Sequence, residues 1–123
     1  MSDLMLRGCR ILVVEDEYML ADELESELEE AGAIVIGPAG TLEGALALIN
    51  SGDRIDGAIL DVNLRGEMAF AAADALMQRG IPFVFTTGYD LSALPPRFAD
   101  VGRCEKPISI RKVAAAIGRV IHA

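Results

Sequence analysis

Acidic residues close two short apolar runs in this sequence, and their placement suggests a metal site. Glu15 and Asp16 follow the run at residues 11–14, and Asp61 closes the run at residues 58–60. Both runs are typical of buried strands, where charged residues are rare unless they are paired or bind a metal. Parallel strands converge at their carboxyl ends, so neighbouring strands would bring three mutually repelling carboxylates into one pocket. A hard divalent cation relieves such repulsion; the alternative is that these are solvated acids at loop starts.

Two further predicted strands end in residues that could bind an anion. One strand ends just before Thr87, whose hydroxyl can donate a hydrogen bond, and the other ends just before Lys106. The chain has nine arginines but only two lysines, so a lysine at a strand end is notable. A lysine is a compact point charge that can meet both a carboxylate and a phosphoryl oxygen. Taken singly, each residue has an ordinary explanation, since threonine favours strands and lysine commonly ends them.

Short apolar strands alternate with helical segments along the chain. The predicted strands cover residues 10–14, 33–36, 57–60, 82–86 and 102–105. The predicted helices cover residues 17–31, 42–50, 67–78 and a final segment after residue 109. Thr41 and Ser109 are the predicted N-caps, and Gly32 and Gly80 are predicted to end their helices. A turn is predicted at residues 37–40. This alternation predicts a parallel sheet covered on both faces. We expect an α/β, flavodoxin-like (βα)5 three-layer sandwich with strand order 2-1-3-4-5.

The connection between the fourth and fifth predicted strands breaks the pattern. Pro96 lacks a backbone donor, and Pro95 is biased away from helical geometry by the proline that follows it. We therefore expect the fourth helix to be short or irregular, and residues 91–99 to be the least regular and most mobile part of the domain. Leu91, Leu94 and Phe98 are the only apolar anchors in this stretch.

Length and charge restrict the classes of protein to which the chain can belong. Its 123 residues fit one domain, 1–123, that is large enough for a real core. The net charge is −8, and nine of the nineteen acids lie within residues 15–30, so nucleic acid is an unsuitable partner. No apolar run approaches the ~20 residues that cross a bilayer, which predicts a soluble cytoplasmic protein without membrane contact. Cys9 and Cys104 show no metal-type spacing, and reduced thiols are expected.

The full set of strand-end residues resembles the response-regulator receiver domain of two-component signalling. The matching stretches are ILVVEDE, AILDVNL, FTTGY and EKP, and the resemblance spans the chain from residue 10 to about residue 121. It implies that Asp61 is the phosphoacceptor and that Mg²⁺ is bound by Asp16, by Glu15 directly or through water, by Asp61, and by the backbone carbonyl of Asn63. It also implies that Thr87 and Lys106 hold the phosphoryl oxygens, with Lys106 paired to Asp61 before phosphorylation.

Three features depart from the common receiver pattern. Glu15 stands where aspartate is more usual, and Arg103 occupies the place of the aromatic switch residue. The stretch from Pro82 is similar to the subgroup with a Phe-Ala-Thr-Gly signature, with Thr86 replacing alanine. Tyr89 is a candidate substitute switch, and a plain loop aromatic is the alternative.

The leading functional hypothesis is a stand-alone receiver. It would take a phosphoryl group from a sensor histidine kinase or a histidine phosphotransfer protein, and then contact a downstream protein or pass the group on. It would promote its own phosphorylation and dephosphorylation rather than act as a conventional turnover enzyme. The alternative is a small Mg²⁺-dependent phosphohydrolase with Asp61 as nucleophile, which lacks an obvious second acid or base. A third hypothesis, an unphosphorylated interaction module, is disfavoured because the full site is present.

Overall fold

Five apolar segments pair into one parallel sheet in the computed structural model, which describes residues 6–88 and 94–122. The strands are β1 (Arg10–Val14), β2 (Ile34–Ala39), β3 (Gly57–Asp61), β6 (Phe83–Thr87) and β7 (Gly102–Glu105), with two short strands, β4 (Asn63–Leu64) and β5 (Glu67–Met68), outside this sheet. The order is β2-β1-β3-β6-β7. The predicted order 2-1-3-4-5 is therefore confirmed, and β1 and β3 are neighbours.

Helices cover both faces of the sheet and give the predicted three layers. They are α1 (Tyr18–Glu30), α2 (Leu42–Ile49), α3 (Phe70–Gln78) and α4 (Ile110–Ile121). Alternate residues of the buried strands enter two separate cores, as the period of two requires. Leu60 packs with the side chains of α2 and α3, whereas Ile59 packs with those of α1 and α4. In the described part of the chain, no helix combines the length and apolar character needed to cross a membrane.

Local signals at the helix ends act as the sequence predicts. The Thr41 hydroxyl accepts a hydrogen bond from the Gly44 N–H at 3.0 Å, and the Ser109 hydroxyl accepts one from the Lys112 N–H at 3.3 Å. Both contacts satisfy backbone donors that the first helical turn leaves without partners. Gly32 follows α1 with φ of +95°, a conformation that favours glycine.

The start of the third helix differs from the prediction. Residues 67–69 were expected to be helical, but α3 begins at Phe70. Glu67 and Met68 instead pair antiparallel with Leu64 and Asn63. The loop is Arg65-Gly66, with φ of +54° and +90°, the left-handed pair that a two-residue hairpin turn requires. We call residues 63–68 the β4–β5 hairpin; it directly follows the end of β3.

The second strand is also longer than predicted. Residues 37–39 were expected to form a turn, but β2 continues to Ala39, which pairs with Val14 after a register shift. Pro38 is tolerated because β2 is an edge strand, where a missing N–H costs no ladder bond. The turn signal of Gly37 and Pro38 therefore marks a bulge within the strand.

The connection between β6 and β7 contains a single 3-10 turn, Pro96–Phe98, in its described part. The absence of an α-helix across residues 94–99 agrees with the prediction. Phe98 is fully buried against Phe85 and Phe70. This burial anchors the part of the connection nearest β7, although residues 91–99 are predicted to be the most mobile part of the domain. Leu91 and the other residues of 89–93 lie outside the described residues, and the predicted mobility of that part stays a prediction.

Candidate functional site

The carboxyl ends of two neighbouring strands, β1 and β3, bring the predicted acids together. Val14, at the end of β1, pairs in register with Leu60, next to Asp61. One carboxylate oxygen each from Glu15, Asp16 and Asp61 lies within 4.8 Å of the others. Glu15 and Asp61 are both buried, with about 3% of each residue exposed, whereas Asp16 is partly exposed. The shared acidic pocket inferred from the sequence is therefore present.

Lys106 provides the positive charge that these carboxylates need. Its ammonium donates a hydrogen bond to Asp61 Oδ2 at 2.8 Å and lies 3.7 Å from Glu15 Oε1. The backbone N–H of Lys106 donates to the Thr87 carbonyl at 2.8 Å, which fixes the lysine beside the end of β6. Partial burial lowers the pKa of Lys106, but the hydrogen bond and the charge of Asp61 outweigh this effect and leave its pKa raised. The lysine therefore stays protonated as the partner of Asp61.

The surroundings of Glu15 raise the pKa of its carboxyl group. Burial raises its pKa, the N–H of Glu17 on Oε2 at 3.0 Å lowers it, and repulsion from Asp61 raises it further. Lys106 offsets only part of this, and the pKa of Glu15 rises from 4.5 to about 7. Its Oε1 is buried without a hydrogen-bond partner among the described residues. A buried oxygen in this state is costly unless a cation or water completes it.

The donor set of this cluster fits Mg²⁺. Mg²⁺ takes oxygen ligands and is usually held by one or two carboxylates together with water. Glu15 Oε1 is a buried acceptor that lacks a hydrogen bond in the described chain, and the partly exposed Asp16 leaves the cluster open to solvent. The residues that could hold the ion are Glu15, Asp16 and Asp61; the predicted role of the Asn63 carbonyl stays a prediction.

The β4–β5 hairpin is tied directly to the Asp61 carboxylate. The Asn63 N–H donates to Asp61 Oδ1 at 3.1 Å, and the Asn63 side-chain oxygen accepts from the Gly66 N–H at 2.6 Å. Arg65, at the tip, places its Nε 3.5 Å from Asp16 Oδ2. Arg65 was not among the predicted site residues, because Arg65-Gly66 lacks the asparagine or aspartate that usually marks a two-residue hairpin turn.

An open pocket of about 360 Å³ lies above Asp61, with room for an ion and a phosphoryl group. Its lining residues are Asp16, Asp61, Asn63, Arg65, Gly66, Gly88 and Lys106. Positive side chains and the acidic cluster thus face the same space. Such an arrangement can neutralise charge on a nucleophilic carboxylate and on an incoming phosphate, the main requirement of phosphoryl transfer.

The remaining predicted residues fall at the same end of the sheet. Thr87 is buried at the end of β6 with 4% of its surface exposed. Its neighbour Thr86, which replaces the alanine of the signature, pairs in register with Asp61 and has a buried hydroxyl without a hydrogen-bond partner in the described chain. Arg103 is exposed on β7, so no aromatic ring occupies that place. Tyr89, the candidate substitute switch, lies outside the described residues.

Comparisons with known proteins agree with the predicted family and fold. The chain is 43% identical to SdrG from Sphingomonas melonis Fr1, covering 89% of this chain and 96% of that one, with a TM-score of 0.75. It is 25% identical to a response regulator receiver protein from Sinorhizobium medicae, covering 96% and 98% of the two chains, with a TM-score of 0.82. The chain belongs to the response-regulator receiver family.

A curated relative extends the receiver comparison to a longer protein. The receiver is 31% identical over 112 residues to the transcriptional regulatory protein PdtaR of Mycobacterium tuberculosis, covering 88% of this chain and 54% of the relative. It spans between about a third and a half of the length of the curated relatives it matches. No family model matches the sequence.

Proposed function

We propose that this receiver accepts a phosphoryl group from phosphohistidine onto Asp61, with Mg²⁺ as the cofactor. The observation that carries the proposal is the 2.8 Å contact between Lys106 Nζ and Asp61 Oδ2 beside two further carboxylates. A buried aspartate with its own lysine and an acidic metal cluster has the parts that an acyl-phosphate site needs. The comparisons do not favour the alternative, a phosphohydrolase.

In the proposed reaction, a carboxylate oxygen of Asp61 attacks phosphorus and forms the acyl-phosphate bond. The phosphorus–nitrogen bond of the donor breaks, and the imidazole leaves with the electron pair and gains a proton. Lys106 pairs with Asp61 before transfer and with a phosphoryl oxygen after it, and the Thr87 hydroxyl donates to another. Mg²⁺, held by Glu15, Asp16, Asp61 and the Asn63 carbonyl, would neutralise charge on the nucleophile and the phosphoryl group.

The proposed partners follow from this chemistry. A sensor histidine kinase or a histidine phosphotransfer protein supplies the phosphoryl group, and a downstream protein recognises the phosphorylated form or receives the group. SdrG has a BeF3-activated conformation, and it matches this chain at 42% identity over 99% of its own length with a TM-score of 0.74. We propose that this chain is a single receiver domain that acts in the cytoplasm by a similar activation. Phosphorylation and its reversal would set its state, rather than repeated turnover of a substrate.

Acetyl phosphate with Mg²⁺ tests the proposal without a known kinase. The intact mass should rise by one phosphoryl group, and hydroxylamine should remove it, because acyl phosphates react with this nucleophile. Asp61→Asn should abolish the adduct, whereas Asp53→Asn, which changes an exposed acid by the same atoms, should keep it. A hydroxylamine-labile adduct that persists in Asp61→Asn would assign the phosphoacceptor to another residue.

A further inference from the structure

The tip of the β4–β5 hairpin places the guanidinium of Arg65, which has no role so far, between the acidic cluster and the pocket above Asp61. Arg65 lines the pocket above Asp61 and also the adjoining groove of about 450 Å³ beside α1. Its side chain is 81% exposed, and its Nε lies 3.5 Å from Asp16 Oδ2. At this distance the contact is an ion pair rather than a hydrogen bond, and an exposed ion pair is weak and readily exchanged.

The backbone holds this guanidinium at the pocket by a specific turn. Arg65 adopts φ of +54°, which is uncommon outside glycine and asparagine. The turn is closed by the Asn63 side chain on the Gly66 N–H, and Asn63 itself donates to Asp61 Oδ1. Two hydrogen bonds therefore connect the tip to the carboxylate that would be phosphorylated, so a change at Asp61 reaches Arg65 through a short path.

The charges around Arg65 define two alternative partners for it. Before a metal binds, Asp16 is the carboxylate of the cluster that Arg65 neutralises, while Lys106 neutralises Asp61. A divalent cation held by Asp16 would compete with the guanidinium for the charge of this carboxylate. Arg65 also lines the pocket above Asp61, where a phosphoryl group would present oxygens that suit the planar guanidinium donors.

We propose that Arg65 exchanges partners, neutralising Asp16 in the metal-free protein and binding a phosphoryl oxygen once Mg²⁺ occupies the cluster. This inference rests on the proposed function, because it takes Asp61 as the phosphoacceptor and Asp16 as a metal ligand. Arg65 would then weaken Mg²⁺ binding and strengthen binding of the phosphoryl group. A residue that only shaped the hairpin would change these two affinities in the same direction.

The exchange is tested with Arg65→Asn, because asparagine tolerates a left-handed φ and keeps the turn while removing the guanidinium. Titration calorimetry measures the affinity for Mg²⁺. A second titration, with the phosphoryl analogue beryllofluoride at saturating Mg²⁺, measures how strongly the pocket binds a phosphoryl-like group. We expect Mg²⁺ to bind about two- to five-fold more tightly, the size of one exposed ion pair, and beryllofluoride to bind several-fold more weakly. The matched control is Arg119→Gln, an exposed arginine near the end of α4 that does not line this pocket.

The outcomes separate this inference from the proposed function. Opposite changes in Arg65→Asn, with wild-type values in Arg119→Gln, support the exchange. Unchanged constants, changes in the same direction, or equal changes in both variants overturn it. If the wild-type protein itself binds neither Mg²⁺ nor beryllofluoride, the proposed function fails before Arg65 is tested. Circular dichroism of each variant establishes that the fold is retained.

Discussion

Arg97 and Asp74 join the β6–β7 connection to α3 through two side-by-side hydrogen bonds. Arg97 Nε donates to Asp74 Oδ1 at 2.8 Å, and a terminal nitrogen donates to Oδ2 at 3.0 Å. The hydrogen bond from Arg97 lowers the pKa of Asp74. The neighbouring Phe98 ring is fully buried, with its centroid 5.5 Å from that of Phe85. The connection is therefore fastened to the core immediately after its two prolines.

Phe98 should supply most of the stability of this anchor. Phe98→Ala removes a fully buried ring from an aromatic cluster and should cost about 3–5 kcal/mol in the free energy of unfolding. Arg97→Ala removes an exposed ion pair and should cost far less. Urea unfolding followed by circular dichroism measures both, since the chain has no tryptophan. Similar losses in the two variants would contradict the buried ring as the main anchor.

Local chemistry explains which parts of the fold can be predicted from the sequence. Thr41 and Ser109 cap their helices because the cap depends on residues three positions away. The strand order follows from apolar runs and right-handed crossovers. The burial of Phe98 could not be predicted this way, because its partners Phe70 and Phe85 come from distant segments.

In the site, the residues at strand ends could be predicted from the sequence, whereas the residue on a loop could not. Glu15, Asp61 and Lys106 converge because parallel strands end at one edge, which a sequence pattern reveals. The role of Arg65 depends on a two-residue turn whose first position is an arginine rather than the usual asparagine or aspartate. Helical periodicity near residue 67 concealed this hairpin, so its contact with Asp16 could not be predicted.

Lys106 should be required to balance the buried carboxylates. Lys106→Met keeps an unbranched side chain but leaves Asp61 Oδ2 without its 2.8 Å donor. Because a buried acceptor loses its partner, we expect a loss of about 1–3 kcal/mol at neutral pH. Mg²⁺ should restore part of it, since the ion would neutralise the same carboxylates. Denaturant unfolding of wild type and variant, with and without Mg²⁺, provides the measurement. If saturating Mg²⁺ recovers none of the lost free energy of unfolding, Mg²⁺ and Lys106 do not neutralise the same carboxylates.

Glu15 should make the metal-free protein less stable as the pH rises. Its pKa is about 7 in the folded protein and ordinarily 4.5, so between these values the folded state holds a proton that the unfolded chain releases. Stability from this group is therefore full below pH 4.5, falls up to about pH 7 and is constant above it.

The comparison with Glu15→Gln isolates this effect from other titrating groups. Glutamine can still accept the Glu17 N–H but carries no charge, so its stability relative to wild type should increase from pH 5 to pH 8. Thermal unfolding in the presence of a chelator measures the difference at each pH. Parallel curves for the two proteins would show that Glu15 does not titrate in this range.

Mg²⁺ should stabilise the wild-type fold, because the ion relieves repulsion among Glu15, Asp16 and Asp61. An ion that binds only the folded state contributes about 1.4 kcal/mol at ten times its dissociation constant. Asp16→Asn should fold well, since it removes a repelling charge, yet lose most of this Mg²⁺-dependent shift. Asp53→Asn, at an exposed acid outside the cluster, should keep the full shift. Calorimetric unfolding with and without Mg²⁺ distinguishes the variants. An equal shift in Asp16→Asn and wild type would show that the ion does not bind Asp16, whereas an equal loss in Asp53→Asn would indicate a general effect of charge rather than a site.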